Sequence, residues 1–247
     1  SVIEASIALA KPVVTANKAL IAEHGNELFA LAKVSGSIVA FEAAVAGGIP
    51  IIKSLREGLT ANRIQSVAGI LNGTTNFILS EMRARGLSFQ DALSDAQRLG
   101  YAESDPTFDI EGIDAGQKLA IIAALSFGIP IQAERVYCEG ITQLTEGDIR
   151  AAEDFGYRVK LLAITKRRAN GFEMRVHPTL VPHDCVIASV DGAMNAVLVR
   201  GDAVGETLYY GAGAGAEPTA SAVIADLVDV IRLQGVAACA QVPYFAF

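Results

Sequence analysis

Hydrophobic and polar positions alternate along this chain with two periods, and the switch between them marks out its elements. Ser1–Ala10 and Lys18–Val34 repeat at helical spacing, with the short apolar run Pro12–Thr15 between them, so the chain is expected to open as helix, buried strand, helix. Ser37–Ala44 is expected as a strand, broken by Ala46-Gly47-Gly48, with Pro50 at the first position of a following helix. A strand over Arg63–Leu71 leads through Asn72–Asn76 into a helix ending near Arg85, and Ser88 or its neighbour caps an amphipathic helix reaching Leu99. After a polar loop comes an apolar helix carrying Lys118, then an extended segment Val136–Ile141 and a helix over Thr145–Phe155. Two alternating strands, Arg158–Arg168 and Phe172–Leu180, meet at Ala169-Asn170-Gly171, a hairpin signal. A further strand pair flanks Gly201-Asp202, and a helix from Pro218 to Leu233 follows. The order predicts an α/β fold whose larger part is α+β, a mixed sheet rich in antiparallel hairpins.

Charge changes that picture at one place. The loop after Gly100 holds Glu103, Asp105, Asp109, Glu111 and Asp114, and it runs into a helix whose only charge between Ala115 and Ala133 is Lys118. Asp114 is expected as the helix N-cap, with Gln117 three residues on completing a capping box. Lys118 then lies one turn beyond Asp114 on the same face, near the positive end of the helix dipole. Burial and the dipole favour the neutral amine there while Asp114 favours the cation, a balance suited to a general acid near neutral pH. A lysine near a helix start is usually a solvated surface residue, but the absence of neighbouring charges argues against that here. The loop does not match a calcium-binding hand, because Pro106, Phe108 and Ile110 interrupt the ligand spacing.

Four other patterns carry two readings each. Asn72-Gly73-Thr74-Thr75-Asn76 is either an anion-binding helix start or an ordinary N-cap by Thr74 or Thr75. Thr15-Ala16-Asn17-Lys18 ends a strand where open α/β sheets hold ligands, yet a lone lysine there is more often a surface residue. Glu42 beside Gly47-Gly48 is a hard-cation donor set or a plain strand-to-helix break. The run Gly211-Ala212-Gly213-Ala214-Gly215 lacks phosphate-loop spacing and serves equally for close packing.

Composition narrows the classes. The net charge of −7 and the lack of basic, aromatic-interleaved patches disfavour nucleic acid. No run of about 18 apolar residues marks a membrane span, and the start has no basic leader. Cys138, Cys185 and Cys239 are odd in number and far apart, so they are expected as reduced, packed thiols of a cytoplasmic protein without a zinc motif.

The segment Gly100–Lys118 resembles, without a gap, the signature of the homoserine dehydrogenase family, and Val14–Lys18, Asn72–Asn76 and Gly211–Gly215 stand in the family's order. The resemblance implies NAD- or NADP-dependent interconversion of L-homoserine and L-aspartate 4-semialdehyde, in the route to threonine, methionine and isoleucine. It implies Lys118 as proton donor, with Asp114 orienting the reacting end and Lys18 as a second candidate for proton transfer. Glu103 would bind the substrate ammonium, Gly73 and Thr74 its carboxylate, with Tyr101 and Asp109 in the same loop. Asn17, Lys18 and Gly213 would approach the cofactor. Glu42, with the backbone of Val45, Gly47 and Ile49, would hold a monovalent cation, sodium or potassium. A homodimer or homotetramer acting on a small molecule is implied.

A dinucleotide-binding fold normally opens with strand, Gly-x-Gly-x-x-Gly and helix, and this pattern does not occur here. Residues 1–40 are therefore expected as the remnant of a Rossmann-like NAD(P)-binding domain, 41–210 as the catalytic and dimerisation domain, and 211–247 as a return segment. The chain is expected to be truncated at its start and to lack a regulatory ACT domain, without feedback by threonine. A second reading makes it a dimerising scaffold that cannot act without its cofactor half.

Overall fold

The computed structural model describes residues 1–234. Helix α1 (Val2–Ala8) is opened by a capping box in which Ser1 and Glu4 satisfy each other's backbone amides. Strand β1 (Val13–Val14), helix α2 (Lys18–Ser35) and strand β2 (Val39–Ala40) form a unit whose two strands pair in parallel. This is the α/β opening expected from the sequence, but the second strand is far shorter than Ser37–Ala44, because a 3₁₀ turn begins at Glu42. Pro50 also sits one place earlier than expected, as N-cap of the short helix α3 (Ile51–Lys53), which runs on as a π turn through Gly58.

Strand β3 (Ile64–Ile70) leads into α4 (Gly73–Arg85), then α5 (Phe89–Arg98) with Ser88 as its cap, the single-turn α6 (Thr107–Ile110), and α7 (Ile113–Phe127). Strand β4 (Tyr137–Cys138) and α8 (Glu146–Asp154) precede the hairpin β5 (Tyr157–Arg168) and β6 (Gly171–Pro182). A second hairpin, β7 (Met194–Gly201) and β8 (Gly205–Ala212), leads to α9 (Ala216–Gln234).

Six strands make one sheet in the order β4-β6-β5-β3-β7-β8, antiparallel throughout except that β4 runs parallel to β6. Arg168 pairs with Gly171, so the hairpin turn is Ala169-Asn170. Alternation along β5 divides the core. Leu161 and Ala163 enter the main core with Ile78 of α4 and Leu119 and Ile122 of α7, while Leu162 and Ile164 join a smaller cluster with Ile187, Ala188 and Val190. Helices α4 and α7 thus lie on one face of the sheet, and their N-termini come together where β3 ends and β7 begins.

One expectation fails locally. Cys185 is exposed rather than packed, whereas Cys138 is partly buried and its Sγ presses on Gly116; Cys239 lies outside the described residues. No helix among the described residues is long and apolar enough to cross a membrane.

Candidate active site

Asp114 is the centre of the site, and it is not the cap the sequence suggested. Gly112, in the left-handed conformation with φ 79°, takes the N-cap position of α7, which places Asp114 within the first turn. Its carboxylate is released from capping and turns inward, only 3% of the residue remaining exposed. One oxygen accepts from Lys18 Nζ at 2.8 Å and the other from Lys118 Nζ at 2.8 Å. The two lysines come from segments far apart in the sequence: Lys18 opens α2 after β1, and Lys118 stands one turn along α7. Lys118 Nζ also donates to the carbonyl of Leu71 at 2.8 Å, at the end of β3.

A second carboxylate sits beside the first. Asp109, on α6, accepts from Asn72 Nδ2 at 2.7 Å, and the same nitrogen donates to Asp114 at 2.9 Å. Asn72 is also the N-cap of α4, its Oδ1 accepting from the Thr75 amide at 2.8 Å. The cap is therefore Asn72, not Thr74 or Thr75. Thr74 Oγ1 donates to the carbonyl of Tyr101 at 2.6 Å and lies 3.1 Å from Asp109. Its hydroxyl is committed inside the protein.

The electrostatics separate the two acids. Burial works to raise the Asp114 pKa, but the ammonium groups of Lys118 and Lys18 overturn it and hold the carboxyl below its usual range. Asp109 goes the other way. Burial lifts it, and the negative Asp114 lifts it further, against the hydrogen bonds from Asn72 and Thr74.

These groups open onto a cavity of about 520 Å³. Lys18, Asp114 and Lys118 form one wall with Asn72, Gly73, Thr74 and Asp109. The exposed loop residues Tyr101 and Glu103 also line it, Tyr101 adjoining Thr74, and Gly213, Ala214 and Gly215 line it with Asn195. Asn17 is not among the residues lining this cavity; its Oδ1 accepts from the Leu20 amide as the cap of α2. Glu42 lies elsewhere and is buried. Its two oxygens accept the amides of Ile52 and Lys53 at 2.8 Å each, so it also caps a helix. Burial raises its pKa, those two amides lower it, and Asp226, which accepts from the Glu42 amide, adds to the rise. Among the described residues no three His, Cys, Asp or Glu side chains cluster as a metal site.

Asn72 and Asn195 are the residues that sequence reasoning missed. Asn72 had a signal, since an asparagine immediately before a helix is a preferred cap. Asn195 had none, being one polar position among many on an alternating strand.

The mixed sheet, the parallel strand–helix unit beside it and this lysine–carboxylate cluster define an α/β protein with the acid–base equipment of a small-molecule enzyme. A homoserine dehydrogenase family model matches residues 50–228. The chain is 64% identical over 237 residues to the homoserine dehydrogenase of Pseudomonas aeruginosa, covering 96% of this chain and 55% of that protein. Its fold superimposes on a homoserine dehydrogenase from Thiobacillus denitrificans with a TM-score of 0.94 and 67% identity, over 98% of this chain and 56% of that one. A hyperthermophilic archaeal homoserine dehydrogenase solved in complex with NADPH gives a TM-score of 0.82 at 32% identity, over 94% of this chain and 67% of that one. The chain belongs to the homoserine dehydrogenase family, and it spans about half the length of the curated relatives it matches.

Proposed function

We propose that this chain supplies the active site of a homoserine dehydrogenase, which interconverts L-aspartate 4-semialdehyde and L-homoserine with NADPH or NADH. One observation carries the reading: a buried carboxylate holds two lysines at the wall of a cavity, and one of them has hydrogen-bonding capacity to spare. Lys118 donates to two acceptors among the described residues, and an ammonium has three N–H groups. The third is available to a substrate oxygen.

The cavity is larger than a four-carbon amino acid needs and falls in the range of sites that take a substrate with part of a cofactor. The unpaired Oδ1 of Asn195 and the bare backbone of Gly213–Gly215 fit a planar ring. When bound there, the nicotinamide supplies or accepts the hydride. The protein does the rest. Lys118 gives its proton to the alkoxide oxygen in reduction and takes the hydroxyl proton in oxidation. Asp114 holds Lys118 against Leu71 and keeps Lys18 beside it, so negative charge on the substrate oxygen meets positive charge already in place. Glu103 receives the substrate ammonium, and the backbone N–H groups of Gly73 and Thr74 receive its carboxylate. Tyr101 and Asp109 shape the loop between them.

A sodium or potassium ion belongs to the same reading. Each Glu42 oxygen keeps lone pairs after accepting one amide, and the carbonyls of Val45, Gly47 and Ile49 would complete the oxygen set that holds the ion. The ion would offset a buried charge. Residues 1–40 then serve the nucleotide side and 41–210 the chemistry and a dimer or tetramer contact, in a cytoplasmic protein.

The test is direct. The protein, given L-homoserine and NAD or NADP, should generate nicotinamide absorbance, and should consume it with aspartate semialdehyde. Absence of turnover by the full-length protein with both amino acids and both cofactors refutes the assignment.

A further inference from the structure

The cavity wall holds a polar side chain to which the proton-transfer scheme gives no role. Asn195 lies on β7 opposite Gly211, and only 1% of it is exposed. Its Oδ1 is buried with no hydrogen-bond partner among the described residues, and the residue is part of the lining of the cavity that Lys118 lines. Buried acceptors are paired in the great majority of cases, so an unpaired one on a residue at a cavity wall marks where a donor can arrive once the amide turns toward it. The chain also makes room for it. A Cβ built on Gly213 would lie 2.1 Å from Asn195 Nδ2, so only glycine lets the amide lie against the loop.

The donor is defined by elimination of the charged groups. Around the cavity stand Asp109, Asp114 and Glu103, each a far better partner for an ammonium than an amide oxygen is. A carboxylate offers no donor to Oδ1, and the reacting oxygen already has Lys118. What remains is a neutral N–H group on the ligand that occupies the side walled by Gly213–Gly215.

We infer that Asn195 is a nicotinamide-binding residue: its Oδ1 accepts a hydrogen bond from the carboxamide N–H of the cofactor and fixes the rotation of the ring at the reacting centre. This rests on the reading that the site uses NAD(P). It changes the meaning of Gly213, which is glycine because the amide needs its place.

The experiment compares NADPH or NADH with its reduced 3-acetylpyridine analogue by calorimetric titration of the full-length protein. In the analogue a methyl ketone replaces the carboxamide, so the N–H donor is gone. The unaltered protein is expected to bind the analogue roughly five- to tenfold more weakly. Asn195→Leu should weaken the natural cofactor by a similar factor and erase the difference between the two. Equal affinities in the unaltered protein overturn the inference, whatever any variant does. Discrimination that survives in both Asn195→Leu and Asn195→Ala, each shown to be folded by circular dichroism, also overturns it. If that survival comes with a raised KM for homoserine, the amide belongs to the amino acid instead. Failure of the functional reading looks different, because the unaltered protein would then neither bind NAD(P)H nor oxidise homoserine, and both ideas fall together.

Discussion

Two buried lysine–carboxylate clusters stand in this molecule, and they differ in what is left over. Lys160, on β5, is 2% exposed and donates to Asn76 Oδ1, to the carbonyl of Val190 and to Asp191, which Arg83 also engages. All three of its N–H groups are used, and burial pushes its pKa down against the pull of Asp191. Lys118 is less deeply set, its side chain 13% exposed against 3% for Lys160, and it lines a cavity with a donor to spare. Ion pairing is therefore common to both clusters. Unspent hydrogen-bonding capacity beside open volume is peculiar to one. A perturbed lysine alone would have pointed to the wrong residue.

The sharpest way to break this comparison is to remove each lysine in turn. Lys118→Ala in the full-length protein should lower turnover by about 10²–10⁴, the usual contribution of a placed proton donor, with the melting curve unchanged because Lys18 still neutralises Asp114. Near-normal turnover would end the assignment. Lys160→Met should do the reverse. It strands the acceptors on Asn76 and Val190, so urea unfolding should show a loss of about 3 kcal/mol, with turnover per folded molecule retained.

Smaller effects sharpen the same contrast. Gly213→Ala forces a methyl onto Asn195; cofactor affinity should fall roughly tenfold, by analogy with a lost hydrogen bond, with little change in homoserine KM. Asp109→Asn tests the raised acid beside Asp114. A carboxyl whose pKa is higher in the folded state costs stability that builds as pH rises from the unfolded-state pKa to the folded one and is complete above it, and costs nothing when protonated in both states. The variant should therefore gain in Tm over the parent at pH 8 and lose that gain near pH 3 in a pH series of thermal melts. Smallest of all, sodium or potassium chloride should raise Tm slightly more than an equal concentration of tetramethylammonium chloride, and Glu42→Gln should abolish that difference.

Much of this was legible in the residues. The helix expected over Lys18–Val34, the hairpin of β5 and β6, the cap at Ser88 and the helix after Thr145 follow from local spacing alone. So did the choice of Asp114 and Lys118, because charge is rare where a helix is otherwise apolar. The error at Asp114 has a physical source. Capping statistics weigh a carboxylate against nearby amides only, whereas here two ammonium groups, one delivered from Lys18 by a distant strand–helix unit, outbid them. Strand β2 was overestimated for a similar reason, since Glu42 turns away to cap α3. Asn195 was invisible because its meaning depends on which loop lies against it.

Gly47 and Gly213 meet backbone to backbone: a Cβ on Gly47 would sit 2.5 Å from the carbonyl carbon and oxygen of Gly213. Gly47 follows Ala46 in a left-handed bend, φ 57° and 52° in turn, and Gly48 donates its amide to the carbonyl of Ala212. The two segments are thereby welded into a single plate. Any bulk wedged in at the Glu42 end would tilt the wall against which Asn195 rests, so damage far from the reacting atoms should surface as misaligned hydride delivery rather than as unfolding.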